Sequence, residues 1–240
     1  MTLEHLLQQN SEIINSCNCD ESVLTQIVHR AFVRQSSRRH LDLLNPSPSG
    51  WTDEDLAIGL SRTYRWGGHS QWALPFSVAQ HSLLVMSIYH QYLNPEATSE
   101  QLLCELLHDA DEALIGGIDP ISPVKPFLGT GYFEIVAKLR CAILQRYGIR
   151  EWCPEQYRLH KRADHLAAAS EAVHVAGWSH EEVGQLLNIA LTPLKSDPLA
   201  KAYGCKEWEP WTPTVAAQRF LDQLQLLLQA CKAETTANQF

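Results

Sequence analysis

The sequence predicts an all-α fold. Three observations carry that prediction. Apolar residues recur at helical spacing along most of the 240 residues, no run alternates convincingly as a strand, and Gly and Pro clusters fall between the periodic segments.

Residues 1–44 read as helical. Leu3, Leu6 and Leu7 share one face, and Val23, Leu24, Ile27, Val28 and Ala31 share the face of a second helix. Asn45-Pro-Ser-Pro-Ser-Gly50 then breaks the pattern. That break divides an N-terminal helical extension, 1–50, from a main domain, 51–240. Trp51-Thr-Asp-Glu-Asp55 is a helix start, with Thr52 as N-cap and Asp55 where a capping box more often carries Glu or Gln. Tyr64-Arg-Trp-Gly-Gly-His-Ser70 reads as a loop. The next helix runs from about Ser77 to Leu93, with Val78, Leu84, Val85 and Ile88 in period, and Asn94-Pro95 ends it.

A helix over Ser99–Ala110 follows, with Ser99 as N-cap. Its stripe of Leu102, Leu103, Leu106 and Leu107 must be buried. Gly116-Gly117, Pro120, Pro123 and Pro126 impose a loop. Further helices are expected near 131–147, 156–177, 180–190 and 214–232.

The bulk numbers narrow the function. A 45% hydrophobic chain of this length can bury one sizeable core. With 19% charged residues, a net charge of −8 and a pI near 5.7, its surface does not attract duplex nucleic acid, although a local basic pocket for a small phosphate ligand is compatible with it. The seven cysteines are odd in number and form no CxxC pair, which predicts a reduced, cytoplasmic chain. Cys104 and Cys141 sit among apolar residues, and Cys17-Asn-Cys19 lacks the second pair that a metal site needs. Met1-Thr-Leu-Glu-His5 has no basic region followed by an apolar run, and Phe76–Tyr89 is too short and too polar to span a bilayer. No membrane association is expected.

The chemistry lies in polar residues set inside apolar helices: His81 in Ser77-Val-Ala-Gln-His-Ser-Leu-Leu-Val85, His108-Asp109 after Leu106-Leu107, and Asp164 in Lys161-Arg-Ala-Asp-His-Leu-Ala-Ala-Ala169. A buried carboxylate must be paired, protonated or bound to a metal. Two imidazoles and two carboxylates make a nitrogen and oxygen set for one divalent cation, suited to Mn, Co, Fe or Zn and less well to Mg. Taken singly, each residue has an ordinary structural reading: a hydrogen-bonded core histidine, a chance dipeptide, a solvated carboxylate beside Lys161 and Arg162. Taken together and in order on three helices, they point to a metal.

That order, His81, then His108-Asp109, then Asp164, resembles the HD-domain phosphohydrolase superfamily. The similarity is strongest to the bacterial 5'-deoxynucleotidase-like branch and its phage relatives. It spans roughly Arg62 to Trp178. Its carriers are Arg65-Trp-Gly-Gly-His69, Ser77-Val-Ala-Gln-His-Ser82, Leu107-His-Asp-Ala-Asp-Glu-Ala113, Asp119 through Pro123-Val-Lys125, and Arg162-Ala-Asp164 with Glu171-Ala172.

The resemblance implies an HD-domain helical bundle around a metal held by His81, His108, Asp109 and Asp164. It implies Glu112 as the carboxylate that positions the attacking water and Asp119 as a second acid for proton transfer. Arg65, Trp66 and Lys125 match substrate-side positions, with His69 also facing substrate. It further implies a homo-oligomer, with a dimer favoured. One departure is the stretch Ile115-Gly-Gly-Ile-Asp119, about two residues longer than in relatives. Glu171, seven residues after Asp164, shares its helix face and either supports the site, lies on a solvated face or pairs with Lys or Arg. His165 reads as supporting or structural.

The function expected is hydrolysis of a nucleotide phosphate, foremost a (deoxy)nucleoside 5'-monophosphate. The rivals are a deoxynucleoside triphosphate hydrolase, which would need more cations along its phosphate channel, and a non-catalytic nucleotide sensor, which would have no use for Glu112.

Overall fold

The computed structural model describes residues 31–120 and 124–237. The helices expected before residue 31, and Cys17 and Cys19, lie outside the described residues. Among the described residues the chain is predominantly helical, with nine α-helices and one two-stranded hairpin. No described helix is long and apolar enough to cross a membrane.

The helical reading fails between residues 31 and 44. Strands β1 (Phe32–Arg34) and β2 (His40–Asp42) pair antiparallel, with Val33 opposite Leu41. Three residues are too few for alternation to register as a strand. The turn between them holds Arg38 at φ 71, a left-handed conformation that nothing in Gln35-Ser-Ser-Arg38 announces. Leu41 and Leu43 reach the main core, so this segment packs as part of it.

Helix α1 (Asp53–Arg62) starts on the predicted capping box. Thr52 Oγ1 accepts from Asp55 N at 3.1 Å, and Asp55 Oδ2 accepts from Thr52 N at 2.9 Å. The shorter Asp side chain closes the box and also accepts from Ser37 N and Oγ, tying the hairpin to the helix. Helix α2 (Val78–Ile88), capped by Ser77 Oγ, is buried on nearly every side and continues through one wider turn over Tyr89–Leu93. It is therefore the central helix of the bundle.

The single helix expected over Ser99–Ala110 is two. Helix α3 (Ser99–Leu106) is capped by Thr98, with Gln101 completing a capping box, so Ser99 is its first residue rather than its cap. Helix α4 (Ala110–Leu114) follows after a break at Leu107–Asp109. Helices α5 (Gly129–Tyr147), α6 (Pro154–Glu171), α7 (His180–Leu186), α8 (Pro198–Tyr203) and α9 (Pro213–Ala237) complete the order. The expected helix over 156–177 ends at Glu171, with a wider turn over Ala172–Ala176. Cys141 on α5 is exposed, unlike buried Cys104, because apolar sequence neighbours do not place a helical residue on the inner face.

The core joins Trp51, Leu56 and Leu60 to Leu83, Leu84 and Ile88, to Leu103 and Leu106, and to Phe220 and Leu224. Helix α9 contributes through Ala216, Phe220, Leu224 and Leu227, an i, i+4, i+8, i+11 stripe. Helices α1 and α4 approach so closely that a Cβ on Gly59 would stand 2.8 Å from that of Ala113. Helix α6 lies against α2 along small residues, Ala163 and Ala167. That close approach sets Asp164 opposite His81.

Candidate metal centre and cavity

His81 lies one turn into α2 and is fully buried. Its Nδ1–H donates to Glu171 Oε1 on α6 at 2.5 Å. His108 sits in the break between α3 and α4, and its Nδ1–H donates to the Glu105 carbonyl at 2.8 Å. Both Nδ1 protons are thus committed, which turns both Nε2 atoms toward the same point. They stand 3.3 Å apart.

Around that point Asp109 Oδ2 lies 3.0 Å from His108 Nε2 and 3.5 Å from His81 Nε2, and Asp164 Oδ1 lies 3.5 Å from His81 Nε2. Donors held about 2.1 Å from a common ion at tetrahedral or octahedral angles lie about 3.0–3.4 Å apart. His81, His108 and Asp164 can hold a metal ion, with their ligand atoms within 4.8 Å of one another, and Asp109 borders the same space. The donor set fits a divalent ion on chemistry as well as spacing. Two neutral imidazoles with Nδ1 protonated present facing lone pairs, which repel unless a cation or a proton lies between them. The helix break matters here: Leu107 and Asp109 leave helical geometry, so His108 and Asp109 are aimed separately by a turn.

The electrostatics match the clustering of charge. Burial and Arg65 push the His81 imidazole down, but Glu171 and Asp164 outweigh them and lift it to about 9. Burial also opposes the charge on His108, yet Asp109 raises it. Asp109 is held below the usual carboxylate range against its burial by His108 and His81, and Asp164 likewise by His81 and Lys161. Lys161 Nζ donates to Asp164 Oδ2, leaving Oδ1 to face His81. Glu112 moves the other way: burial, Asp109 and Asp119 push its carboxyl well up. Its Oε2 is buried without a hydrogen-bond partner among the described residues.

A cavity of about 390 Å³ opens beside the cluster, lined at this end by His108, Asp109, Asp119 and Asp164. A neighbouring cavity, also about 390 Å³, shares His108 and Asp109 and adds Asp111 and Glu112. Lys125 borders both; Pro123, two residues before it, lies outside the described residues.

Arg65 lines the first cavity, but its guanidinium is engaged. Nη1 meets Asp119 at 3.1 Å and Nε meets Glu171 at 3.2 Å. Asp119 is therefore brought to the site despite the longer turn before it. Trp66 also lines the cavity, donates Nε1–H to Glu171 Oε2 at 3.2 Å, and occupies the left-handed region at φ 59. That conformation is costly for an aromatic residue and is held by the surrounding contacts. His69 is exposed and stands outside the cavity wall. His165 is on the wall.

Three residues of the site carry no motif. Buried Glu105 accepts from Trp152 Nε1 at 3.1 Å and from His160 Nδ1 at 2.8 Å, while its own carbonyl holds His108. The His160 ring stacks on Trp152 at 4.1 Å. The available signal is a carboxylate set between Cys104 and Leu106, the same mark that singles out His81.

No protein-family model matches the chain. An uncharacterized protein of Rhodobacter capsulatus is 38% identical over 171 residues, covering 71% of this chain and 83% of that one.

Proposed function

We propose that this chain, which belongs to the same family as the Rhodobacter capsulatus protein, is a metal-dependent phosphohydrolase with an HD-type helical bundle, acting on nucleotides. The observation that carries the reading is the pair of imidazole Nε2 atoms facing each other at 3.3 Å between two carboxylates, beside a cavity with buried Glu112, whose Oε2 has no hydrogen-bond partner among the described residues. His81, His108, Asp109 and Asp164 would hold one divalent ion, of Mn, Co, Fe or Zn type. When bound, the ion supplies positive charge that offsets the phosphate oxygens and acidifies water.

The chain's own residues do the rest. Glu171 and the Glu105 carbonyl hold the two imidazoles in one tautomer. Glu112, its carboxyl pushed well up by burial and its acidic neighbours, orients the attacking water and takes up its proton, an effect worth about 10²–10⁴-fold. Asp119, steadied by Arg65, stands ready to move a proton. Lys125, with no ion pair among the described residues, neutralises the arriving phosphate. Trp66 positions the substrate from the wall. The favoured substrate is a (deoxy)nucleoside 5'-monophosphate, giving nucleoside and orthophosphate. The resemblance carries with it a homo-oligomer, a dimer favoured, and the cysteine usage a cytoplasmic location.

A second reading, a deoxynucleoside triphosphate hydrolase, gains from one observation: Arg140 and Lys161 line the same cavity as Lys125. Both are already matched, Arg140 by Glu151 at 2.8 Å and Lys161 by Asp164. That leaves Lys125 as the one wall cation of the three without an ion pair and favours the monophosphate.

The test is to incubate the chain with nucleoside mono- and triphosphates and Mn, Co or Mg, with His108→Ala and Asp109→Ala alongside. Orthophosphate from monophosphates, lost in both variants, supports the nucleotidase. Triphosphate or pyrophosphate release moves the assignment to the second reading. No metal-dependent turnover overturns both.

A further inference from the structure

The first cavity changes character along its length. Asp164 and Ala168 lie one turn apart on the same face of α6, about 6 Å along the axis. Ala168, Leu187, Ile189 and Trp66 add apolar surface to the cavity, and the last three pack against the cluster of Ala169 and Ala172 around the end of α6. A phosphate seated at the His81 and His108 end would leave this wall facing water. A flat apolar ring would cover it.

Two polar side chains, His165 and Asn188, share this part of the wall. Asn188 lines the cavity, and its carboxamide has no hydrogen-bond partner among the described residues. Its backbone is left-handed at φ 54, just past the end of α7, where Ile189 N bonds the Val183 carbonyl. Asparagine tolerates that conformation, and so does glycine. The backbone shape therefore explains a small residue here, and the exposed carboxamide is open to a ligand in the cavity.

We infer that Asn188 reads the edge of a nucleobase whose ring is covered by Leu187 and Ile189. A carboxamide sets a donor and an acceptor side by side, matching the paired donors and acceptors on a base edge. Since it can turn over, it accepts several bases while rejecting a ligand with no base. The inference rests on the phosphohydrolase reading for the place of the phosphate.

The experiment measures Kd by calorimetry on the full chain in Mn. The probes are a nucleoside 5'-methylenephosphonate, which cannot be hydrolysed, and the base-free sugar phosphonate. Wild type is expected to prefer the nucleoside form by at least tenfold, about the size of one good hydrogen bond plus ring burial. Asn188→Gly, which keeps the backbone conformation, is expected to weaken the nucleoside form about tenfold and leave the base-free form within about twofold. Equal Kd values in wild type, binding of neither probe, a preference undiminished in the variant, or equal weakening of both probes overturns the inference. Phosphate release from natural nucleotides, measured separately, reports on the phosphohydrolase reading. Persistent release with an unmoved Kd ratio removes only the role of Asn188.

Discussion

His81 and His108 meet Nε2 to Nε2 at 3.3 Å, each already donating its Nδ1–H in a hydrogen bond, one to Glu171 and the other to the Glu105 carbonyl. Such a meeting is favourable only with a cation or an added proton between the rings. The two alternatives respond oppositely to pH.

Without metal, the His81 imidazole is raised to about 9. A group whose folded pKa lies above its ordinary value near 6.5 stabilises the fold fully below that value, and the contribution fades as pH rises through the folded pKa. Asp111, raised to about 6 by burial and Asp109, acts in the same direction. Metal-free protein is therefore expected to lose Tm between about pH 6.5 and 9, while Mn affinity rises over the same window because binding must displace the proton. Thermal melts and Mn titrations across that range check both slopes. A metal-free Tm that climbs with pH contradicts the assignment.

Glu171 serves three donors at once: His81, Arg65 and Trp66. Glu171→Gln leaves Arg65 with Asp119 alone and weakens the hold on His81. The expected cost is about 3–5 kcal/mol of stability and about 10–100-fold in metal affinity. Urea unfolding and Mn titration measure the two effects, and a variant as stable as wild type would show that the buried pair contributes little.

Glu112→Gln should separate chemistry from binding. Removing a carboxyl crowded by Asp109 and Asp119 should leave stability equal or slightly higher. Turnover should fall about 10²–10⁴-fold while metal affinity stays within severalfold. An unchanged kcat would remove Glu112 from the mechanism.

At the start of α1, Asp55→Ala removes half of the capping box and both bonds to Ser37. A loss of about 1–2 kcal/mol is expected in urea unfolding, with turnover unaltered. A variant within a few tenths of wild type would mean that the hairpin does not need its tie to α1.

The residues of the cluster are legible because each breaks a local pattern: a histidine inside an apolar helix, a His-Asp pair after two leucines, an aspartate among alanines. The Thr52–Asp55 cap is legible for the same reason, since both partners lie within one turn. Residues whose role depends on a distant partner leave a weaker trace. His160 and Trp152 look like ordinary helix and loop residues until Glu105, 55 and 47 positions away, is seen to accept from both. Glu171 has a readable helix face but no readable partner. The β1–β2 hairpin is too short for periodicity, and the break at Leu107–Asp109 carries neither Gly nor Pro. It is a local conformation imposed by the site rather than by propensity.

The most direct test of the account is Mn titration by calorimetry of the wild-type chain and of His108→Ala at mildly alkaline pH. The account predicts one ion per wild-type chain and binding at least about 100-fold weaker in the variant. Equal affinity in the two, or no binding by the wild type, would contradict it.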